Sequence, residues 1–162
     1  MKLAIAADHA GYELKAMLLP WLKTEGHQVR DLGTNSDSPV DYPDFAEAAS
    51  LAVVRGEVER AIVICGSGVG ATVASNKVPG IRACMCHDTY SAHQGVEHDD
   101  VNVLVLGARV IGIELAKELI RAWAAAKFSK EERHVRRVGK ILKIEDKFGD
   151  RLMEEKEKEP VK

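Results

Sequence analysis

The residues best suited to chemistry fall in one short run, Ile62-Val63-Ile64-Cys65-Gly66-Ser67-Gly68-Val69-Gly70, an apolar strand that empties into alternating glycines. A short helical stretch around Ala71 to Lys77 follows. Glycines at 66, 68 and 70 leave backbone N–H groups bare, and the start of a helix adds the positive end of its dipole, so this loop suits a phosphate or a developing oxyanion. The same glycines would also serve a plain tight connection. Cys65 ends the strand inside that field, where a thiolate is favoured and usable; a cysteine that merely fills the core is the alternative. Ser67 lacks the Gly-x-Ser-x-Gly setting of a hydrolase nucleophile, so its hydroxyl is better cast as a donor to an oxyanion.

Other candidates surround this run. Asp8 and His9 follow the apolar stretch Leu3 to Ala7, and a carboxylate beside an imidazole can move protons between oxygens or anchor an anion, unless Asp8 only caps the next helix. Glu97-His98-Asp99-Asp100 sets another histidine among carboxylates, or forms a solvated loop. From Lys127 to Lys143 seven Lys or Arg stand against Glu131 and Glu132, so this window carries +5 while the remainder carries −7. Arg133 and Arg137, at i and i+4 on one helical face, could fork around one phosphate, with Arg109 joining them, or could be a solvated basic face. Cys84-Met85-Cys86-His87 contains zinc-ligand types, but no second pair is spaced to complete four ligands, and no metal is expected. His27, His87 and His93 have no partner pattern.

These residues need elements to hold them. Leu3 to Ala7, Gln28 to Leu32, Ala61 to Cys65, Ile81 to Met85 and Val101 to Leu106 have strand length. Between them, Gly11 to Glu25 carries Leu14, Met17, Leu18, Trp21 and Leu22 at the spacing of a helix with one buried face, with Pro20 expected to kink it or end it early. Asp41 and Pro43 open a second helix of Ala46, Ala49 and Val53, with Gly56 beyond its end, and Ile113 to Ala126 forms another with Leu115, Leu119 and Trp123 inward. Apolar strands separated by helices predict an α/β fold: three layers, α/β/α, Rossmann-like, around a five-stranded parallel sheet. Ligands of such sheets bind beyond the carboxyl ends of the strands, where Asp8-His9, Gly33-Thr34, Gly66-Ser67, Cys86-His87-Asp88 and Gly107-Ala108-Arg109 begin.

Composition narrows the class. The 162 residues make one domain, or one domain with a tail; 46% are hydrophobic and 30% charged, enough for a folded core. A net charge of −2 and a pI near 6.3 offer no basic field for nucleic acid or an anionic membrane, and no apolar stretch approaches a membrane span. Three cysteines are too few for a disulfide framework and suggest a reducing, cytoplasmic setting. From Asp146 to Lys162 the chain becomes a mixed-charge run, read as a solvated helical extension or frayed tail without chemistry.

Ala6-Ala7-Asp8-His9-Ala10-Gly11, Asp41-Tyr42-Pro43, Cys65 to Gly70, Ala74-Ser75-Asn76-Lys77, Asn102-Val103-Leu104, Gly107-Ala108-Arg109 and Glu132-Arg133-His134 together resemble the type B ribose-5-phosphate isomerases and their relatives, from about Met1 to Glu145. The resemblance implies a sheet of order 2-1-3-5-4, a sugar-phosphate isomerase domain over residues 1–145 with a charged extension over 146–162, and no metal or organic cofactor. It implies a homodimer or dimer of dimers whose active sites are shared between subunits. It further implies that a phosphorylated aldose and ketose interconvert through a cis-enediolate, ribose 5-phosphate and ribulose 5-phosphate being the favoured pair. Cys65 would be the base, and Ser67 with the N–H groups of Gly66, Gly68 and Gly70 would hold the enediolate oxygen. Asp8 and His98 would assist ring opening, His98 from the partner chain. Tyr42 would line the sugar pocket, and His9, Arg109, Arg133 and Arg137 would bind phosphate, some across the interface. Some family members carry a glutamate base six residues after the Cys65 position; Ala71 stands there, which favours the cysteine variant.

One residue departs from the pattern. Asp99 replaces the family's usual asparagine, which would put a carboxylate near the thiolate and the enediolate and oppose both. Tetrulose, galactose or allose phosphates are therefore alternative substrates. Two rivals remain: a dinucleotide-binding oxidoreductase, because Gly66-x-Gly68-x-x-Ala71 fits a loose nucleotide fingerprint with Asp88 near the distance of a ribose-binding acid, and a phosphosugar sensor that binds without turnover.

Overall fold

The structure is a computed structural model that describes the backbone of residues 1–158 and the side chains of residues 1–148. The strands are β1 Lys2–Ala7, β2 Gln28–Asp31, β3 Arg60–Cys65, β4 Ala83–Met85 and β5 Val103–Gly107. The helices are α1 Tyr12–Thr24, α2 Tyr42–Val54, α3 Val69–Ser75, α4 Thr89–Asp99, α5 Ile113–Ala125 and α6 Glu132–Lys158. All strand pairs are parallel, in the order β2-β1-β3-β5-β4, with Ile5 beside Ile62 and Ile62 beside Leu104 in the central register.

Alternation within each strand divides the core. Leu3, Ile5, Ile62, Ile64, Leu104 and Leu106 pack with Leu18 and Leu22 of α1, Val96 of α4 and Leu119, Ile120 and Trp123 of α5. Ala4, Ala6, Ala61, Val63, Val103 and Val105 face Ala46, Ala49 and Ala52 of α2 and Ala71 of α3. The second face carries smaller side chains, which lets α2 and α3 approach the strands closely. Each fully buried Leu or Ile contributes about 1.5–3 kcal/mol by leaving water, so the three central strands anchor the fold.

The structure corrects several expectations. Pro20 does not end α1, which runs on to Thr24. Pro20 and Ala16 both face solvent, so the carbonyl that loses its i+4 donor can be hydrated, while Leu18 and Leu22 keep the buried face intact. Met17 and Leu115, expected inward, are exposed, and the inward places fall to Lys15 and Ala116. β4 begins at Ala83 rather than Ile81, and Glu97 to Asp99 form the last turn of α4 rather than a loop.

The chain divides into two compact units, Met1–Phe128 and Ser129–Lys162. In the second, the Ser129 hydroxyl lies 2.6 Å from Nδ1 of the buried His134 at the start of α6. Within the charged run of residues 146–162, the backbone is helical to Lys158, and residues 159–162 lie outside the described residues. No helix among the described residues is long and apolar enough to cross a membrane.

Candidate active site

At the carboxyl ends of β1, β3 and β5 a cavity of about 320 Å³ is lined by Asp8, His9, Ala10, Tyr42, Cys65, Gly66, Ser67, Gly70, Arg109 and Val110. That volume lies at the small end of ligand sites, roughly 300–1,000 Å³.

Cys65 is the last residue of β3 and is 4% exposed, so its sulfur sits at the inner end of the cavity. The N–H of Gly68 donates to its Sγ at 3.2 Å, which fixes the sulfur against the glycine loop. The loop reaches this shape because Gly68 holds φ +87°, a left-handed conformation that a side chain would strain. Gly70 is required for a different reason: a Cβ there would stand 2.6 Å from the Tyr42 ring, so the absent side chain lets Tyr42 close over the loop. Gly66 has ordinary room for a methyl, which would extend beside Arg109 and Ala10 into the cavity. Ser67 is exposed, and its Oγ accepts from the N–H of Val69 at 3.3 Å, which leaves the hydroxyl proton for a ligand.

Asp8 is 7% exposed and receives the N–H of Gly11 on Oδ1 at 3.0 Å, which leaves Oδ2 for a ligand. Its backbone is fixed from two sides, by Asp8 N–H to the Ile64 carbonyl at 3.1 Å and by the pairing of Ala7 with the Gly33–Thr34 turn. The buried Lys15 of α1 explains that turn: its ammonium pairs with Asp31, whose Oδ1 also accepts the Gly33 N–H at 3.0 Å. A buried charge needs such a partner, so the Lys15–Asp31 pair ties α1 to the end of β2. His9 Nδ1 lies 3.2 Å from both the N–H and the carbonyl of Val40, so the ring is held in either tautomer with Nε2 available to the cavity. Arg109 is exposed, and its N–H bonds back to the Gly66 carbonyl at 2.9 Å, placing its guanidinium beside the loop.

A model of the ribose/galactose isomerase family matches residues 3–141. The chain belongs to that family. It is 44% identical over 146 residues to ribose-5-phosphate isomerase B of Escherichia coli, spanning 90% of this chain and 97% of the relative. D-erythrulose-4-phosphate isomerase of Pectobacterium atrosepticum is 43% identical over 130 residues, spanning 79% of this chain and 85% of the relative. Among solved structures, ribose-5-phosphate isomerase B of Clostridium thermocellum is similar with a TM-score of 0.89 and 48% identity, over 91% of this chain and 99% of that one.

In this ribose/galactose isomerase chain the cavity gathers eight of the sequence candidates: Asp8, His9, Tyr42, Cys65, Gly66, Ser67, Gly70 and Arg109. Gly68 shapes the loop from behind. His98 and Asp99 do not line it. His98 is half-buried near the end of α4, its Nδ1 2.7 Å from Gln94 Nε2, and the charge of Asp99 acts on Cys84. Arg133 and Arg137 are exposed on α6 of the second unit, Arg133 paired with Glu131 at 2.9 Å. Ala10 and Val110 were not singled out from the sequence, although each directly follows a candidate residue. The Asn76 motif also gains a role, because its side chain bonds both the N–H and the carbonyl of Ala83 and thereby braces α3 to the open edge of β4.

The dinucleotide reading loses its geometry. Asp88 follows β4, which β5 separates from β3, and its carboxylate caps α4 by accepting the Ser91 N–H at 2.7 Å. A ribose-binding acid belongs instead to a strand adjoining the loop strand.

Proposed function

We propose that this chain interconverts a phosphorylated aldose and its ketose, with ribose 5-phosphate and ribulose 5-phosphate as the preferred pair. The observation that carries this reading is Cys65 at the inner end of the cavity, held by an N–H of the glycine loop and flanked by Asp8, Ser67 and Arg109. A thiolate at Cys65 takes the proton from the carbon beside the carbonyl and returns it to the former carbonyl carbon, while the hydroxyl proton passes from one oxygen of the enediolate to the other. The Ser67 hydroxyl and the loop N–H groups hold the oxygen that becomes negative meanwhile, and donors placed at such an oxygen supply much of the rate of enolisation. Asp8 opens the sugar ring by accepting the proton of the anomeric hydroxyl as the bond from that carbon to the ring oxygen breaks and the ring oxygen takes a proton from an acid, while His9 and Arg109 hold the phosphate.

The cavity of one chain has a carboxylate, an imidazole and one arginine, which is a thin set for a doubly charged phosphate and a ring-opening acid. A homodimer or dimer of dimers would complete it with His98, Asp99, Arg133 and Arg137 from a second copy, in a reducing, cytoplasmic setting. The test is a panel of four-, five- and six-carbon aldose and ketose phosphates, with NMR detection of the interconverted partner. Turnover highest for ribose 5-phosphate supports the reading, and turnover of a tetrulose phosphate alone moves the substrate to the chemistry named for the Pectobacterium relative. Asp99→Asn then reports whether that carboxylate sets the preference. Binding without turnover of any sugar phosphate would make the chain a sensor.

A further inference from the structure

Cys84 and Cys86 stand at the end of β4, two residues apart and so on the same side of the strand. Their sulfurs are 3.5 Å apart. Cys86 is 2% exposed and belongs to the core beneath α4 and α5, whereas Cys84 is half-buried and reachable from solvent. The proposed isomerisation uses neither. No group of three metal-ligating side chains forms among the described residues.

We propose that Cys84 and Cys86 are a redox site that closes into a disulfide when a hydroperoxide reaches Cys84, and that closure disables the neighbouring glycine loop. The two sulfurs have distinct parts. Cys86 donates its S–H to the Cys84 sulfur, which lowers the Cys84 thiol to about 7 against burial and the charges of Asp99 and Asp88. The same bond, with burial, pushes the Cys86 thiol up. Cys84 is therefore the attacking thiolate and Cys86 the resolving thiol. With hydrogen peroxide, the Cys84 sulfur takes one oxygen as a sulfenic acid, and the departing hydroxide leaves as water with the proton Cys84 has lost. The Cys86 sulfur then displaces the sulfenic hydroxyl, and its own proton leaves with that hydroxide as a second water. Two thiols are oxidised by two electrons, and one peroxide is reduced to two waters.

Closure reaches the site through contacts already described. Cα atoms two residues apart on a parallel strand are about 6.6 Å apart, at the upper end of the roughly 4.4–6.8 Å that a disulfide spans. Drawing the sulfurs together therefore buckles the strand at Met85. The Met85 side chain packs on Gly68, where a Cβ would meet its Sδ at 2.8 Å. Asn76 at the end of α3 grips Ala83 on the same strand. A bend in β4 thus moves both supports of the loop that holds Cys65.

The test treats the full-length protein with hydrogen peroxide and maps its cysteines after alkylation and trypsin. The tryptic peptide 83–109 carries Cys84 and Cys86 with no other cysteine, and the peptide 61–77 carries Cys65, so the three thiols are separable by mass. The expected result is peptide 83–109 lighter by two hydrogens with both thiols protected from alkylation, restored by dithiothreitol. Cys86→Ser should instead leave Cys84 as a sulfenic or sulfinic acid, and Cys84→Ser, at the more exposed position, should abolish the reaction while keeping the fold and basal activity. Loss of alkylation at Cys65 with Cys84 and Cys86 still free overturns the site. Closure should also raise amide hydrogen exchange at residues 66–70 at least ten-fold, and unchanged exchange in the disulfide form overturns the coupling. Only the last readout, a ten-fold or greater reversible fall in isomerisation, rests on the proposed function; absence of activity in the reduced protein would count against that reading and leave the redox site to the mass and exchange results.

Discussion

At the amino ends of the strands, Arg30 pairs with Glu57, the Lys2 N–H donates to Glu59, and Arg60 donates to the carbonyls of Trp123 and Ala126. At the carboxyl ends, Asp8 and Arg109 border one cavity and neither forms an ion pair among the described residues. The sheet is common to both ends and the residue types are similar, so the difference lies in what satisfies them. Paired charges at the amino edge close the ends of strands and helices and serve stability. Polar groups kept apart in a cavity cost stability and are useful only to a ligand that completes them. Substitutions at the carboxyl edge should therefore change turnover with little loss of fold, and substitutions at the amino edge should do the reverse.

The sharpest break should come at Cys65. Cys65→Ala removes the proposed base and should lower kcat by roughly 10²–10⁴-fold, the range of a positioned acid or base, while phosphosugar affinity measured by calorimetry stays within about ten-fold of wild type, as a lost base permits. Full activity in this variant would remove the base assignment. Next in size, Arg109→Ala should raise KM for a sugar phosphate by roughly 10–100-fold, equivalent to the loss of one charged hydrogen bond of about 1.5–3 kcal/mol. An unchanged KM would take Arg109 out of the phosphate site.

The contrast also explains what the sequence disclosed. β1, β3 and β5 are buried on both faces and read as continuous apolar runs, and Asp8, Cys65, Ser67 and Arg109 were visible because they stand at or within two residues of the carboxyl ends of those strands. Met17 and Leu115 were misplaced because helical spacing says which residues share a face, and not where that face passes the rim of the sheet. Lys15 gave no signal as a buried residue, since its partner Asp31 comes from a different element. The hold of Val40 on His9 is a backbone contact across 31 positions and leaves no mark in residue type. His98 lies in the last turn of a helix rather than past the end of a strand, so the rule that found the cavity residues says nothing of it; the family resemblance alone assigned it a role, in a second copy of the chain.

At the amino edge, Arg60 is the residue to break. Its guanidinium caps the last carbonyls of α5 with bonds of 2.7 and 2.9 Å and lies 5.4 Å from the centre of the Trp123 ring. Arg60→Met should keep the aliphatic packing but lose the cap, lowering unfolding free energy by about 2–3 kcal/mol, the loss of charge-assisted bonds at a partly buried site. kcat at a temperature where the variant is folded should match wild type. A kcat loss greater than the stability loss explains would mean the two edges are coupled.

The smallest effect is a change in pH dependence at His27, beside the first residue of β2. Burial lowers its pKa from 6.5, the nearby N-terminal charge adds to this, and Glu25 and Glu59 oppose it. Its Nδ1 is buried without a hydrogen-bond partner among the described residues, so protonation leaves a donor unsatisfied. The unfolded chain binds this proton more readily than the folded one. The stabilising contribution of neutral His27 is therefore fully present above pH 6.5 and is lost as pH falls through the lowered folded value. His27→Gln, which stays neutral, should flatten the decline of Tm below pH 6.5 and leave Tm at pH 8 nearly unchanged. A wild-type decline that persists in the variant would place the acid sensitivity elsewhere, and a change in the pH profile of kcat would show that the amino edge reaches the cavity.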